Sequence, residues 1–383
     1  MIINSLQLQD YRSYKSLEVR WPEGVILLFG QNGAGKTNLI ESIVVACTGH
    51  GLVPVQEKDL VRRGAPGYSI LLTGTATNVS FILARRFVLP GSRDARCEGP
   101  FVPPGRPAPV VTFSPDDIYI VKGPPAARRR YLDEVAANTV AGYRRALLDF
   151  RRALQQRNEL LHDVRRRLAP VDDLDPWDMQ VARQAAWLHS RRLQVTRVLT
   201  TLAAGAYTRL AGAGHSLSVA YHPGIDAGPG TGISEDAGRG AESTPSVSAL
   251  ESTYYRAFVA RRVDDLRLGL TAAGPHRDDL DLFIDGLPAR THASQGQQRA
   301  AALALRMAQS IMLEQAGREP PVICLDDVYS ELDEARRGLV TEFLMSYPQV
   351  FVTATSREGL PQDIKKSLYY YLVEDGSVRQ VPD

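Results

Sequence analysis

Over the first 90 positions, apolar residues alternate with polar ones in short runs closed by turn signals. SLQLQDY, SLEVRW, YSILLTGTA and VSFILARRFVL carry this two-residue period, and each predicts a half-buried strand. VILLF, residues 25–29, is apolar throughout and predicts a strand buried on both faces. A polar glycine-rich loop follows it, and the spacing in NLIESIVVA then predicts a helix. PGSRDARCEGPFVPPGRPAP, residues 90–109, is dense in Pro and Gly and predicts a loop; VVTFSPDDIYIVKGPP predicts a return to strand and turn.

From about residue 126 to 212 the period lengthens to that of long helices, and the break at APVDDLDP predicts an antiparallel helical hairpin. SLSVAYHP predicts a strand, and the Gly- and Ser-rich residues 223–247 a flexible loop. Strand patterns resume at about 264 with DLRLGLTAAG and DLDLFIDG. A strong helix is predicted at GQQRAAALALRMAQSIMLEQ and a buried strand at PVICLDD. Residues 1–122 and 264–383 therefore predict the two α/β halves of one domain, divided by a mostly helical arm at 123–263.

Composition narrows the class. At 44% hydrophobic and 23% charged, the 383-residue chain matches ordinary globular proteins. Its apolar runs fall short of the roughly 18 residues that span a bilayer. MIINSLQLQDYRSYK carries neither a basic nor an apolar leader segment, so the expected location is cytoplasmic. Cys47, Cys97 and Cys324 show no metal-binding spacing; Cys47 and Cys324 fall in apolar segments and are expected to be buried.

The loop after VILLF holds the strongest chemistry. Gly30-Gln31-Asn32-Gly33-Ala34-Gly35-Lys36-Thr37 fits G-x-x-x-x-G-K-[ST], between the strand and the helix that the motif requires. Glycines let successive N–H groups turn inward, and the helix adds its positive end, so the segment through Asn38 predicts a triphosphate cradle. Lys36 would reach the β- and γ-phosphates, and the Thr37 hydroxyl would hold Mg2+. A chance match in a chain this long arises on the order of 1% of the time, so the loop is treated as functional.

A triphosphatase also needs an acid for the metal and a group to polarise water. The strand PVICLDD ends in Asp326, expected at the metal, and Asp327, expected to polarise the attacking water. Ser294 precedes a long helix and Gly296 permits close approach, which local physics reads equally as a capped helix or a second phosphate-binding end.

The order DYRSY, GQNGAGKTNLIE, SQGQQR, LDDVYSELD resembles the ATPase heads of the ABC superfamily, in particular their SMC-like DNA-repair branch. FSPDDIYIVKGPPAARRRYLD, TAAGPHRDDL, SQGQQRAAALALR and LDDVYSELD are similar, over nearly the whole chain, to the RecF family of bacterial recombination mediators. The resemblance implies an α/β fold, an ABC-type ATPase head (a P-loop NTPase) with a mostly helical arm insertion. Such a head is catalytically incomplete alone. Ser294, Gln295 and Gly296 match the ABC signature and would meet the γ-phosphate held by a second copy, with Asp333 as the D-loop acid at that interface. Arg12 and Asn32 match positions that touch phosphate in SMC-like heads.

By the same resemblance ATP joins a homodimer, hydrolysis is weak, Mg-dependent and DNA-dependent, and the ligand is double-stranded DNA and its junctions with single strands. The implied partners are RecR with RecO, promoting RecA loading at gapped DNA. Two departures fit slow turnover. FSPDDIY lacks the Q-loop glutamine, leaving Asp116 or Asp117 in its place, and VTATS lacks the switch histidine, with Thr353 or Thr355 in that region.

Residues 126–212 hold 16 arginines, no lysine and nine Asp and Glu, a net +7 that leaves −5 for the rest of a chain of net +2. That asymmetry suits a phosphate-binding arm or a solvated helix face. Arg128, Arg129 and Arg130 form the densest cluster, with Asp133 and Glu134 as alternative partners for Arg130. His276 and Arg277 follow Gly-Pro and are read as structural. The competing class is an ABC transporter ATPase subunit, against which the helical insertion and the SMC-like N-terminus argue. A nuclease of the overcoming-lysogenization type would need more than the roughly 50 residues that follow Asp333, and a full SMC protein needs far longer arms.

Overall fold

The computed structural model describes residues 1–52, 55–89, 92–98, 108–225, 245–317, 319–357 and 368–382. Residues 226–244, the bulk of the expected Gly-rich loop, lie outside them. The chain forms two compact units, Met1–Asp117 with Arg306–Asp383, and Ile118–Leu305. The expected arm, 123–263, falls in the second unit, which also takes in residues 264–305.

The first unit opens with β1 (Ile2–Tyr11), β2 (Tyr14–Arg20), β3 (Gly24–Phe29), α1 (Lys36–Thr48), β4 (Gly67–Ala76), β5 (Val79–Val88), β6 (Ser92–Glu98) and β7 (Val110–Phe113). The second holds α2 (Ile118–Lys122), α3 (Pro125–Thr139), α4 (Tyr143–Arg165), α5 (Leu174–Ala211), β8 (Leu217–His222), α6 (Val247–Ala260), α7 (Arg262–Leu268), β9 (Asp279–Ile284), β10 (Leu287–Pro288) and α8 (Ala289–His292). Helix α9 (Gln295–Gln315) begins in the second unit and ends in the first. The first unit then closes with β11 (Val322–Leu325), α10 (Glu334–Leu344), β12 (Gln349–Ala354), β13 (Leu368–Glu374) and β14 (Ser377–Val381).

Two sheets build the first unit. One is antiparallel, in the order β2-β1-β4-β5-β6; the other runs β14-β13-β3-β12-β11-β7, parallel except for the β14 edge. The parallel strands have continuous apolar sequences because both faces are covered: Val25–Leu28, Val322–Leu325 and Val350–Val352 are buried. Helix α1 lies in the core between the sheets, its Leu39, Ile40, Ile43 and Val44 clustering with Leu6 and Leu8 on one side and Ile26, Leu28 and Cys324 on the other. Cys47 and Cys324 are buried, as their apolar settings predict.

In the second unit α4 and α5 form the expected antiparallel hairpin. Arg157 of α4 bonds Asp178 of α5 at 2.6 Å, and Tyr143, nearer the start of α4, meets Arg192, further along α5, at 3.0 Å. Helix α5 has 38 residues, which at helical rise is about 57 Å. The small β10-β9-β8 sheet packs on it through β8. Among the described residues no helix is long and apolar enough to cross a membrane.

Three expectations about elements need correction. Ser92–Glu98, within the expected loop, is an edge strand hydrogen-bonded along β5; an edge strand draws its bonds from the neighbouring backbone and needs no apolar alternation. DLRLGL does not start a strand but lies in and just after α7, which ends at Gly269 in the left-handed region (φ 73). Its alternation misleads because Leu268 is 52% exposed while Asp265 is the buried residue. IYIVK is the helix α2: Pro115 opens a helical turn, and Asp117 accepts the Ser114 N–H at 2.9 Å.

Candidate functional site

Strand β3 delivers the chain to Gly30 at one edge of the parallel sheet, and α1 starts six residues later. Glycine is required at two places here. A Cβ on Gly30 would stand 2.2 Å from the Val373 carbonyl oxygen, and one on Gly35 (φ 107) would stand 2.8 Å from Ser13 Oγ. Gly35 caps α1 without any side-chain hydrogen bond to the first turn, so the opening N–H groups are not met by a cap of their own chain. Gln31, Asn32 and Gly33 are exposed and Ala34 half-buried, leaving the loop open to solvent.

Lys36 lies folded back under this loop. Its Nζ donates to the Gly30 carbonyl at 2.6 Å and to Gln31 at 2.9 Å. Burial lowers its pKa, opposed by the negative charges of Asp327 and Asp326, so both acids from the end of β11 act on this ammonium. Thr37 Oγ1 donates to Asp326 Oδ1 at 3.0 Å. Thr37 and Asp326 are the residues that would hold a Mg2+ here, since a hydroxyl and a carboxylate are hard oxygen donors of the kind that ion prefers. Among the described residues no group of three or more His, Cys, Asp and Glu could hold a metal, so a cation here would lean on Thr37, Asp326 and oxygens from outside the chain.

Asp326 is held from a second side. Thr353 Oγ1 donates to the same Oδ1 at 2.9 Å and accepts the Asp327 N–H at 2.8 Å. Burial raises the Asp326 pKa, and the hydrogen bonds from Thr353 and Thr37 pull against that rise. Asp327 itself is exposed, with its backbone in the left-handed region at φ 53. Thr355, the other residue weighed for the switch position, is exposed.

The turn between β1 and β2 closes over the loop. Tyr14 Oη donates to the Gly35 carbonyl at 3.0 Å, and Asn38 Nδ2 donates to Ser13 Oγ at 3.0 Å. Arg12 (φ 51) is held by a bidentate pair with Glu41 of α1, Nε to Oε2 at 2.8 Å and Nη2 to Oε1 at 3.0 Å, while Nη1 donates to the Asp59 carbonyl. Glu41 is 3% exposed and also accepts from Tyr11 Oη. Ser13, Tyr14 and Glu41 lie within DYRSY and GQNGAGKTNLIE, but their partners are not legible there: the Tyr14–Gly35 contact spans 21 residues.

The remaining candidates fall as follows. Asp117 is committed: Arg306 Nε and Nη2 both donate to its Oδ1, at 3.0 and 2.7 Å, so of the two carboxylates weighed for the Q-loop position only Asp116 is exposed. In the second unit Ser294 caps α9 reciprocally with Gln297, Ser294 N to Oε1 at 2.9 Å and Gln297 N to Oγ at 3.3 Å. Ser294 and Gln295 are exposed, with Gly296 half-buried between Gln295 and Gln297. Asp333, in the first unit, is the N-cap of α10, accepting the Arg336 N–H at 2.9 Å, and its side chain remains 54% exposed.

Comparison with known proteins bears on this arrangement. The AAA domain family matches residues 5–70. The sequence is 34% identical to the DNA replication and repair protein RecF of Chloroflexus aggregans, over 99% of each chain. It is 35% identical to the protein of the same name from Frankia alni, over 96% of this chain and 97% of that one. The chain belongs to the RecF family. The solved structure of the recombination mediator protein RecF-ATP in the RecFOR pathway superposes with a TM-score of 0.88 at 25% identity, covering 100% of this chain and 98% of that one. An SMC head bound to the C-terminal winged-helix domain of ScpA superposes at 0.53 with 14% identity, a likeness of fold alone. The RecF-family fold is thus the expected SMC-like ABC ATPase head.

The arginine cluster of this RecF-family chain, Arg128, Arg129 and Arg130, expected to contact DNA, divides by burial, which corrects the expectation for Arg128. Arg128 is 5% exposed, bidentate to Asp279 at 2.6 and 2.7 Å and bonded to the Gly123 carbonyl; it does not face outward. Arg129 is half-buried and donates to the Asp278 carbonyl, whereas Arg130 is exposed. Arg157 and Arg192 are also buried, against Asp178 with Asp265 and Asp133 with Asp278. The HRDD stretch explains itself here: Asp278 accepts from Arg192, Tyr221 and the Gly224 N–H, Asp279 anchors Arg128, and His276 bonds the Thr271 carbonyl.

Proposed function

We propose that this chain is an ATP-dependent, DNA-binding recombination mediator. ATP would lie on the Gly30–Asn38 loop, Lys36 on its phosphates, and Mg2+ on Thr37 and Asp326 with Asp327 beside the attacking water. The observation that carries this reading is the 3.0 Å hydrogen bond between Thr37 and Asp326, which joins a triphosphate loop to an acidic strand end on one edge of one sheet. In the proposed assembly two copies sandwich two ATP molecules, each contributing Ser294, Gln295, Gly296 and Asp333 to the nucleotide of the other. Functionally the head would run over 1–122 and 264–383, with 123–263 as the arm. Arg12 would leave Glu41 to meet phosphate, and Asn32 would join it.

The DNA surface is assigned to the exposed arginines of the arm. Arg130, Arg151, Arg152, Arg165, Arg166 and Arg167 are exposed, and contacts scattered along helices reach phosphates rather than base edges. Double-stranded DNA and its junctions with single strands are the proposed ligands. RecR with RecO, and RecA loading at gaps, are the proposed downstream steps, in the cytoplasm. Hydrolysis is proposed to be slow and DNA-dependent, in keeping with the missing switch histidine and Q-loop glutamine.

The test is fluorescence anisotropy on a gapped duplex with ATP, ADP or no nucleotide, for the wild type, Lys36→Ala and Ser294→Arg. Binding that needs ATP and is lost in both variants supports the sandwich dimer as the DNA-bound state. Binding indifferent to nucleotide rejects it.

A further inference from the structure

Thr353 lies on β12, where Val352 pairs with Leu325 of the parallel β11; one residue on, Thr353 stands level with Asp326. It is 1% exposed, and its hydroxyl is used in both directions, as donor to Asp326 Oδ1 and acceptor from Asp327 N–H. Asp327 needs such a hold. Its φ of 53 places a non-glycine residue in the left-handed region, a strained state that persists only where surrounding contacts enforce it. Here the peptide is gripped on both sides, the N–H by Thr353 and the carbonyl by Ser330 Oγ at 2.8 Å. Asp326, by contrast, keeps the Thr37 hydroxyl even without Thr353.

We infer that Thr353 is a positioning residue for ATP hydrolysis: its hydroxyl fixes the left-handed turn at Asp327 and so sets where that carboxylate meets the attacking water. The inference rests on the ATPase reading above. It gives a buried threonine, at the level where other heads use a histidine, a task that needs no contact with nucleotide. Valine at this position keeps the β-branched packing and removes both hydrogen bonds, leaving the Asp327 N–H unheld. Displacing a catalytic group by about 1 Å is enough to slow chemistry about 100-fold, whereas the nucleotide cradle is built from other residues.

The experiment is steady-state ATP hydrolysis by the full chain with Mg2+ and DNA, for the wild type, Thr353→Val, Thr353→Ser, Asp327→Asn and the Asp327→Asn, Thr353→Val pair. The expected result is a kcat lowered roughly 30- to 100-fold by valine with KM for ATP held within about threefold, near-full recovery with serine, and no further loss when valine is added to Asp327→Asn. An unchanged kcat in Thr353→Val overturns the inference. So does a joint collapse of kcat and ATP affinity, or an undiminished valine effect in the Asp327→Asn background, since either means that Thr353 acts elsewhere than through Asp327. Thr353→Ala replaces the valine variant should that one not fold. A wild type that binds ATP without hydrolysing it removes the ATPase reading itself, an outcome distinct from an active wild type with an equally active valine variant.

Discussion

Thr37 and Asp326 are 289 positions apart in the chain and 3.0 Å apart in space. The sheet order makes this possible: β3, which leads into the loop, and β11, which ends in the acids, are parallel and separated by β12 alone. Parallel strands end on the same edge, so the loop and the acids open on one side.

Removing either oxygen should separate binding from turnover. Thr37→Val and Asp326→Asn are expected to lower Mg-ATP hydrolysis about 100-fold or more, with nucleotide affinity measured in EDTA within a few-fold of wild type. Isothermal titration with and without Mg2+ reads this directly. A Mg2+ dependence of ATP affinity that survives in both variants would remove these residues from the metal.

Gly30→Ala tests the close approach of two backbones. The added Cβ meets the Val373 carbonyl oxygen at 2.2 Å, backbone that cannot rotate aside, so the loop or β13 must shift. A stability loss of about 1–3 kcal/mol is expected by urea titration, together with weakened ATP binding. Gly33→Ala meets nothing within 4 Å and should cost less, its φ of 84 being the sole strain.

Arg157 and Arg130 should part company on stability. Arg157 is fully buried, bonded to Asp178, Asp265 and Thr271 and stacked over Phe258 at 5.1 Å. Arg157→Ala takes the guanidinium from buried Asp265 and leaves Asp178 with Arg262 alone, and is expected to cost about 3–5 kcal/mol. Arg130→Glu, on the surface, should change stability by no more than about 0.5 kcal/mol while weakening DNA binding and flattening its salt dependence. Denaturant midpoints and anisotropy at several salt concentrations distinguish the two.

His189 is expected to make the second unit acid-sensitive. Burial, helped by the charge of Arg192, lowers its pKa from 6.5 to about 4, and it bonds Tyr254 Oη at 3.0 Å. Between those values the unfolded chain holds the proton and the folded one does not, so stability is fully present above pH 6.5 and falls as pH drops toward 4. The slope from this group is at most about 1.4 kcal/mol per pH unit. His189→Gln should flatten that part of the pH profile of the urea midpoint; an unchanged slope would assign the sensitivity elsewhere.

Much of the site was legible in the chain itself. Gly30 to Thr37 is contiguous, its strand and helix flank it, and Asp326 and Asp327 end an apolar run, so local pattern suffices to find them. DLRLGL and Ser92–Glu98 are not legible in this way, because alternation does not distinguish a short helix with one buried Asp and because an edge strand can be polar.

The sequence by itself determined which segment forms the glycine-rich turn between strand and helix, which strands are buried on both faces, and that a helical hairpin interrupts the α/β halves, since each follows from residues within a few positions of one another. Only the tertiary structure decided that Thr353 grips Asp326 and Asp327, that Glu41 holds Arg12, that Arg306 takes Asp117, and that Arg128, Arg157 and Arg192 belong to the interior. A side chain's partner is set by burial and by which distant strand or helix arrives beside it, and a buried arginine reads in sequence like an exposed one.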